Sequence, residues 1–516
     1  MSKASWSEGY ATGAGYTHGY YQDLNPRFAA FTLLLDGLDG PPPGPCCELG
    51  FGQGLSLAMH AAGDPARRWW GNDFMPAHAA QARRLVDAAG TDTVISDQSF
   101  EDFFARDDLP QFAFIGLHGV WSWISPANRS RIVDFLHHRL MPGGVVYLSY
   151  NCLPGWALTL PLRTLLLDHM RRASPSGRPD LKRTADALAF VQAVIAADPK
   201  LVAVTPVLRE LVAGWATEPP AYLLHELLNE DWHPLAFADV VAELERAKLT
   251  FAASSDLLAR RAELNYSPAQ QALLAQIEDS ALRESTQDVF VARRFRREYW
   301  VRGARPLSRA EAAHRLREQR VVLALDRAKV PTVHNGMHGS APMPARPLAL
   351  LLDLLTQADA PLAIGHLLDQ AVAQGIDANE MVELIAAQVG ARALLLAAPP
   401  DEVEAARPAT RRLNACLVAP HARRAEILNL ASPVSGSGVS ASTSLQMMLA
   451  ACAAAPREPE SWPGRVWDAM QAEGQQMMKG DERVTDRTTA AALLQPLVQN
   501  LQNQALPLLR RLGIVD

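Results

Sequence analysis

Short apolar runs alternate with segments of helical spacing through the first third of the chain, and this alternation restricts the fold more than any other feature. The runs are Pro45–Leu49, Trp69–Asn72, Thr93–Ser96, Phe112–Leu117 and Val145–Ser149, and the helical segments are Leu55–Ala62, Ala77–Ala89 and Arg129–Leu140. Strands that alternate with helices build a parallel sheet covered on both faces, so the pattern predicts an α/β domain. Met141-Pro-Gly-Gly144 predicts a helix end followed at once by a strand at Val145.

Beyond this region the texture changes. From about 157 to 228 the spacing is helical only, clearest over Leu160–Met170, Asp180–Ala197 and Ala221–Leu228, and reads as a helical insertion. A helix over Leu235–Lys248 then leads into a strand at Leu249–Ala253, and Asp288–Ala292 is placed as one more strand of the same sheet. Pro331–Pro347 is rich in Pro, Gly and small polar residues and reads as a linker. Leu348–Thr356, Ile364–Gln374 and Asn379–Val389 are helix-like, Leu430–Ser444 is a loop by composition, and Thr488–Leu512 is amphipathic with interruptions at Pro496 and Pro507.

Composition removes whole classes. With 48% hydrophobic and 20% charged residues, the chain has ample material for packed cores, so disorder and collagen are excluded. Forty-nine basic against 55 acidic residues give a net charge of -6, which lacks the positive field of a nucleic-acid binder. Five cysteines without a C-x-x-C spacing make neither a disulfide framework nor a zinc site, so no metal is expected. No apolar run reaches the ~18 residues of a membrane span. The start MSKASWSEGY has no apolar leader, so the expected location is the cytoplasm.

Three strand ends carry groups suited to one ligand. Glu48-Leu-Gly-Phe-Gly-Gln-Gly54 follows the first strand and opens a helix. Gly50, Gly52 and Gly54 permit a tight turn and a close ligand approach, and Glu48 presents a carboxylate. Plain turns share this glycine content, and Leu55 stands where the dinucleotide fingerprint has its third glycine. Asp73 and Phe74 end the second strand, where a carboxylate can accept from ribose hydroxyls; a helix cap ahead of Pro76 reads equally well. Asp97-Gln98-Ser99-Phe100 ends the third strand, as an adenine contact or as an N-cap.

Taken in order, these strand ends resemble the class I S-adenosylmethionine-dependent methyltransferases. Longer strings narrow the likeness: Tyr16–Pro26 (YTHGYYQDLNP), His118–Trp123 (HGVWSW), Ser149–Trp156 (SYNCLPGW) and Tyr222–Asn229 (YLLHELLN). These are similar to bacterial methyltransferases with a methyltransferase regulatory domain, among them rickettsial lysine methyltransferases acting on outer-membrane proteins. The resemblance implies a Rossmann-like, seven-stranded sheet over 1–156, a helical insertion at 157–230 and completion of the sheet over 231–305. Beyond the resemblance, which covers roughly residues 10–260, composition places a linker at 306–347, and short helices read as a mainly helical, winged-helix-like domain at 348–516. The resemblance implies S-adenosyl-L-methionine as cofactor, held by Tyr20, Glu48, Gly50, Phe51, Gly52, Gly54, Asp73, Phe74, Asp97, Gln98, Ser99, Leu117 and His118. The missing Asn/Asp-Pro-Pro-Tyr after the fourth strand argues against methylation of DNA bases.

A protein or peptide substrate with a lysine acceptor follows from the resemblance alone. Alternatives are a small-molecule methyltransferase, with the C-terminal part making a homodimer, and a non-catalytic cofactor-binding regulator. Aromatic faces stabilise methylated cations, and Tyr10, Tyr16, Tyr20, Tyr21, Trp121, Trp123, Tyr150 and Trp156 stand near the expected ligand edge. His118, Tyr150 and Tyr21 are the catalytic candidates: the imidazole to take the acceptor's proton, the phenols to orient it. His118 reads also as a loop-shaping residue bonded to backbone. His225-Glu226 reads as a helix-packing pair. The basic run Arg293–Arg297 reads first as a strand whose arginines pair with nearby acids; as a docking patch it fits an acidic protein better than nucleic acid.

Overall fold

The computed structural model describes residues 18–175, 177–424 and 427–515. Its centre is a seven-stranded sheet of β1 (Cys46–Leu49), β2 (Trp69–Asn72), β3 (Thr93–Ser96), β4 (Phe112–Leu117), β5 (Leu140–Asn151), β6 (Leu249–Ser254) and β7 (Phe295–Arg302), in the order β3-β2-β1-β4-β5-β7-β6. The first five strands run parallel, while β7 lies antiparallel to both β5 and β6. All residues of β1, β2 and β4 are buried, as the continuous apolar runs require of strands covered on both faces. The strand order reverses between β1 and β4, and ligands bind in open α/β sheets outside the carboxyl ends at such a reversal. Leu49, Asn72 and Ser96 stand level across this edge, so the loops after β1, β2 and β3 emerge side by side.

Two boundaries differ from the sequence expectation. The fifth strand begins at Leu140, because the helix ends at Arg139 and Met141-Pro-Gly-Gly144 is absorbed as an irregularity within the strand. Phe112 pairs with Leu140 and Phe114 already with Val145. Asp288–Ala292 is not a strand: it is the end of the helix Ser280–Phe290 and the turn after it, with Ala292 at φ +44°. The seventh strand lies in the arginine run instead. Asp288 is buried and pairs with both Arg293 and Arg296, so its charge is hidden by the strand that follows.

The insertion folds as expected into helices Leu160–Arg172, Asp180–Ala196, Leu208–Thr217 and Pro220–Leu227. They close around a core of their own that includes Trp156, Leu166, Val191, Trp215, Leu223 and Trp232.

The segment 306–347, expected to be a linker, is folded. It holds the helix Arg309–Glu318, a strand β8 (Arg320–Leu323) and a small hairpin of Val333–Asn335 with Ser340–Pro342. β8 is the middle of an antiparallel three-stranded sheet between β9 (Leu362–Ala363) and β10 (Leu394–Ala397). Helices Ala345–Gln357, Ile364–Ala373 and Ala378–Gly390 surround it. The small sheet is thus completed by a strand from upstream of its helices. The remainder is largely helical. Pro496 is accommodated inside the helix Arg487–Asn500, and the segment expected as a loop at 430–444 contains the hairpin Asn429–Ser432/Ser437–Ser440.

The C-terminal half packs directly on the sheet domain. Tyr20, Leu55, Met59, Ala62, Leu85 and Val86 share one buried cluster with Leu413, Leu417, Leu430 and Met447. The helix after β1, Leu55–Gly63, is buried along its whole length. No described helix is long and apolar enough to cross a membrane.

Candidate active site

The loops at the carboxyl edge of the sheet and the inserted helices enclose a cavity of about 1100 Å³. That is at or above the upper end of the roughly 300–1,000 Å³ of ordinary ligand pockets, enough for two reactants. Tyr21, Gly50, Gly52, Asp73, Phe74, Asp97, Gln98, Ser99 and His118 all line it, so three strand ends chosen from sequence do converge.

Asp73 organises the first wall. Its Oδ2 accepts from the Gly52 amide at 2.8 Å, and its Oδ1 accepts from the Met75 amide at 3.0 Å and lies 3.1 Å from His78 Nδ1. The cap reading and the ligand reading therefore hold together, since the helix-side contacts fix a carboxylate that still borders the cavity. Asn72 ties the second loop to the third: its Nδ2 donates to the Gln98 carbonyl at 3.0 Å and its Oδ1 accepts from the Gln98 amide at 3.2 Å. Asp97 pairs with Arg83 at 3.2 Å, and Ser99 caps the helix Phe100–Phe104 by accepting from the Asp102 amide at 3.1 Å.

His118 ends the fourth strand. Its ring stacks on Tyr21 at 3.6 Å, and its Nδ1 lies 2.8 Å from the Tyr147 hydroxyl. Burial lowers its pKa to about 4, with Arg297 adding in the same direction and Asp23 opposing, so the imidazole is neutral at physiological pH and a weak base.

Six expected residues do not border the cavity. Glu48 lies beneath the glycine loop, 3% exposed, with Oε2 unpartnered. Burial and the neighbouring Asp73 push its pKa up to about 8. Phe51 is buried against Leu57 and Gly71, Gly54 begins the helix Leu55–Gly63, and Leu117 is in the sheet core. Tyr20 turns away from the ligand edge, where its hydroxyl lies 3.1 Å from His60 Nε2. Tyr150 donates to Glu298 at 3.2 Å and is fully buried. Burial keeps both phenols protonated. Tyr10 and Tyr16 lie outside the described residues. Of the remaining aromatics, Trp123 and Trp156 do border the cavity, while Trp121 is core.

The facing wall was not expected from sequence. Asn151, Tyr222, His225, Glu226, Asn229, Asp231, Arg294 and Phe295 complete the cavity. A signal was present: Tyr222, His225, Glu226 and Asn229 stand at i, i+3, i+4 and i+7, a polar stripe opposite Leu223, Leu224 and Leu227. His225 and Glu226 are cavity residues, not only a packing pair. Burial raises the Glu226 pKa to about 7, with Asn151 and Arg294 opposing.

Most of the basic run is paired, while Arg294 is exposed, lies over the Trp156 ring and borders the cavity. Arg296 is 4% exposed among Glu284, Asp288 and Glu298, and Arg297 meets Asp23 and Asp256. Pairing with nearby acids is thus the role of Arg293, Arg296 and Arg297, which removes these three from a docking patch. No cluster of three potential metal ligands occurs among the described residues.

This sheet order, a ligand edge at its reversal and a helical insertion facing that edge define a class I methyltransferase fold, and residues 219–302 match the family described as a predicted methyltransferase regulatory domain. The chain belongs to the family of the uncharacterized protein sll1526 of Synechocystis sp., to which it is 31% identical over 514 residues, 99% of this chain and 100% of that one. The uncharacterized protein RP028 of Rickettsia prowazekii is 28% identical over 221 residues, 42% of this chain and 83% of that one. PKMT2 from Rickettsia typhi, solved in complex with AdoHcy, has the same fold over 97% of this chain and 99% of its own, with a TM-score of 0.69 at 16% identity.

Proposed function

We propose that the protein is an S-adenosylmethionine-dependent methyltransferase that modifies lysine side chains of proteins. The observation that carries this reading is the convergence of the Gly50–Gly54 loop, Asp73 and the Gln98 loop on one cavity, at the reversal of a class I methyltransferase sheet. The AdoHcy in the structure of PKMT2 from Rickettsia typhi supports the choice of cofactor, and the PKMT name supports the choice of acceptor.

The residues fit such a cofactor. Asp73 is pre-oriented to accept from ribose hydroxyls, and Phe74 and Phe100 offer apolar surface beside it. Glu48 lies beneath the glycine loop with one carboxyl oxygen unpartnered, where it supports the loop that borders the cavity. When bound, the cofactor supplies an activated methyl group and its leaving group. The chain supplies orientation, exclusion of water and electrostatics. The stacked Tyr21–His118 pair is neutral and polarisable, a surface that tolerates cationic charge close by. All five cysteines are unpaired, which supports residence in a reducing compartment such as the cytoplasm.

Calorimetric titration with S-adenosylhomocysteine tests the cofactor, and mass spectrometry of lysine-bearing proteins after incubation with labelled S-adenosylmethionine tests the acceptor. Saturable binding and label on lysine are expected. Absence of binding removes the methyltransferase reading, and binding with label only on small molecules removes the lysine acceptor.

A further inference from the structure

A second cavity, about 360 Å³, opens on the inserted helices between Leu208–Thr217 and Pro220–Leu227. It shares Trp156, Tyr222, Glu226 and Arg294 with the large cavity, so the two are separated by one wall of side chains. The outer groove has a mixed character. Val207 and Tyr222 are 44% and 47% exposed, Leu211 and Trp215 form apolar floor, and Glu210 and Glu218 add negative charge. The one basic group in its lining, Arg294, lies over the Trp156 ring at 4.0 Å.

We infer that this groove seats the acceptor as a stretch of polypeptide, and that the shared wall passes a protonated amine side chain to Glu226. The inference rests on the lysine reading above and adds the route and the residue that select the acceptor. Three observations carry it. The groove and the cofactor cavity lie on the two sides of one wall, formed by four shared residues. Its carboxylates complement a cation, while its apolar floor suits neighbouring residues of a chain, which a small free amine lacks. Asn151, 2% exposed at the strand end, lines the cavity together with Glu226, and its side-chain nitrogen has no partner among the described residues.

Charge around Glu226 comes from several elements: Arg294 ahead of β7, Glu218, Tyr222 and His225 on or beside its own helix, and Asp231 after it. In the reaction the ammonium gives one proton to the Glu226 carboxylate. The freed nitrogen pair then forms the N–C bond as the S–C bond breaks, and its electron pair stays on sulfur as a thioether. The product leaves as a methylated ammonium, and Glu226 returns its proton to water.

The test uses the full chain, labelled S-adenosylmethionine and a random dodecapeptide library with one fixed lysine. Glu226→Gln should lower kcat/KM for the library about tenfold to hundredfold, the scale of a lost charged hydrogen bond, with S-adenosylhomocysteine affinity unchanged. A limb near pH 7 is expected in the wild-type pH–rate profile from ionisation of Glu226, and the variant should lack it. Gly214→Phe fills the outer groove from a helical position where an added Cβ meets no neighbour. It should raise the library KM with cofactor affinity intact, which a folding defect would not leave. Transfer to the library at wild-type efficiency in either variant overturns the proposal. So does a wild type that binds cofactor and methylates n-butylamine but no library lysine. A wild type that binds no cofactor fails the earlier reading instead, and the two failures are told apart by the titration.

Discussion

Asp73 enters three contacts with its own chain before any ligand arrives, and that arrangement sets what its loss costs. Asp73→Ala releases the Gly52 and Met75 amides and His78 together, so the glycine loop loses its brace and the cavity loses a ribose acceptor. Affinity for S-adenosylhomocysteine should fall about tenfold to hundredfold by calorimetry; unchanged affinity would remove Asp73 from the site. Glu48 makes a different prediction. A carboxyl whose folded pKa is raised contributes stability that is complete below its ordinary value and is lost as pH rises through the folded one, here about 8. Between about pH 5 and pH 9 the wild-type melting temperature should therefore drop further than that of Glu48→Gln. Parallel curves would show that Glu48 is ionised throughout.

At the scale of elements, the helix Leu55–Gly63 starts from Gly54 at φ +74°, where an added Cβ would overlap Ala82 of the neighbouring helix. Gly54→Ala combines left-handed strain with that overlap and should cost about 1–3 kcal/mol in urea unfolding. A loss below about 0.5 kcal/mol, the scale of a neutral surface change, would mean that the turn relaxes freely. The first four strands were legible to within a residue because each is a short apolar run that ends in a break of pattern, at Gly50, Asp73, Asp97 and His118. The seventh was not, because Arg296 and Glu298 satisfy each other's charge inside the sheet and look like surface in a string of letters. The site divides in the same way. Its cofactor wall follows strand ends and was readable from order, whereas the Tyr222–Asn229 wall needed the helical phase of a polar stripe, and Tyr20 and Tyr150 needed side-chain direction.

Across the whole molecule, the C-terminal half completes the core of the sheet domain. Asn25 donates to the Gly436 carbonyl at 2.8 Å, Arg412 donates to Ala89, and Gly63 meets Gly436 so closely that a Cβ on Gly63 would stand 2.5 Å from the Gly436 Cα. Heat should therefore unfold the chain in one calorimetric transition, and Gly63→Val should lower its midpoint without splitting it. Two separated transitions would show that the halves fold independently. Sequence could suggest this only obliquely: Leu55–Gly63 is apolar nearly all round, and such a helix needs cover on every side.

The strand Arg320–Leu323 has a consequence for descent. It stands between two strands that come tens of residues later in the chain, so a gene break placed at the glycine- and proline-rich segment 331–347 would strand it with the wrong partner. A chain cut in that segment leaves the two edge strands without their centre on one piece and the centre without its edges on the other.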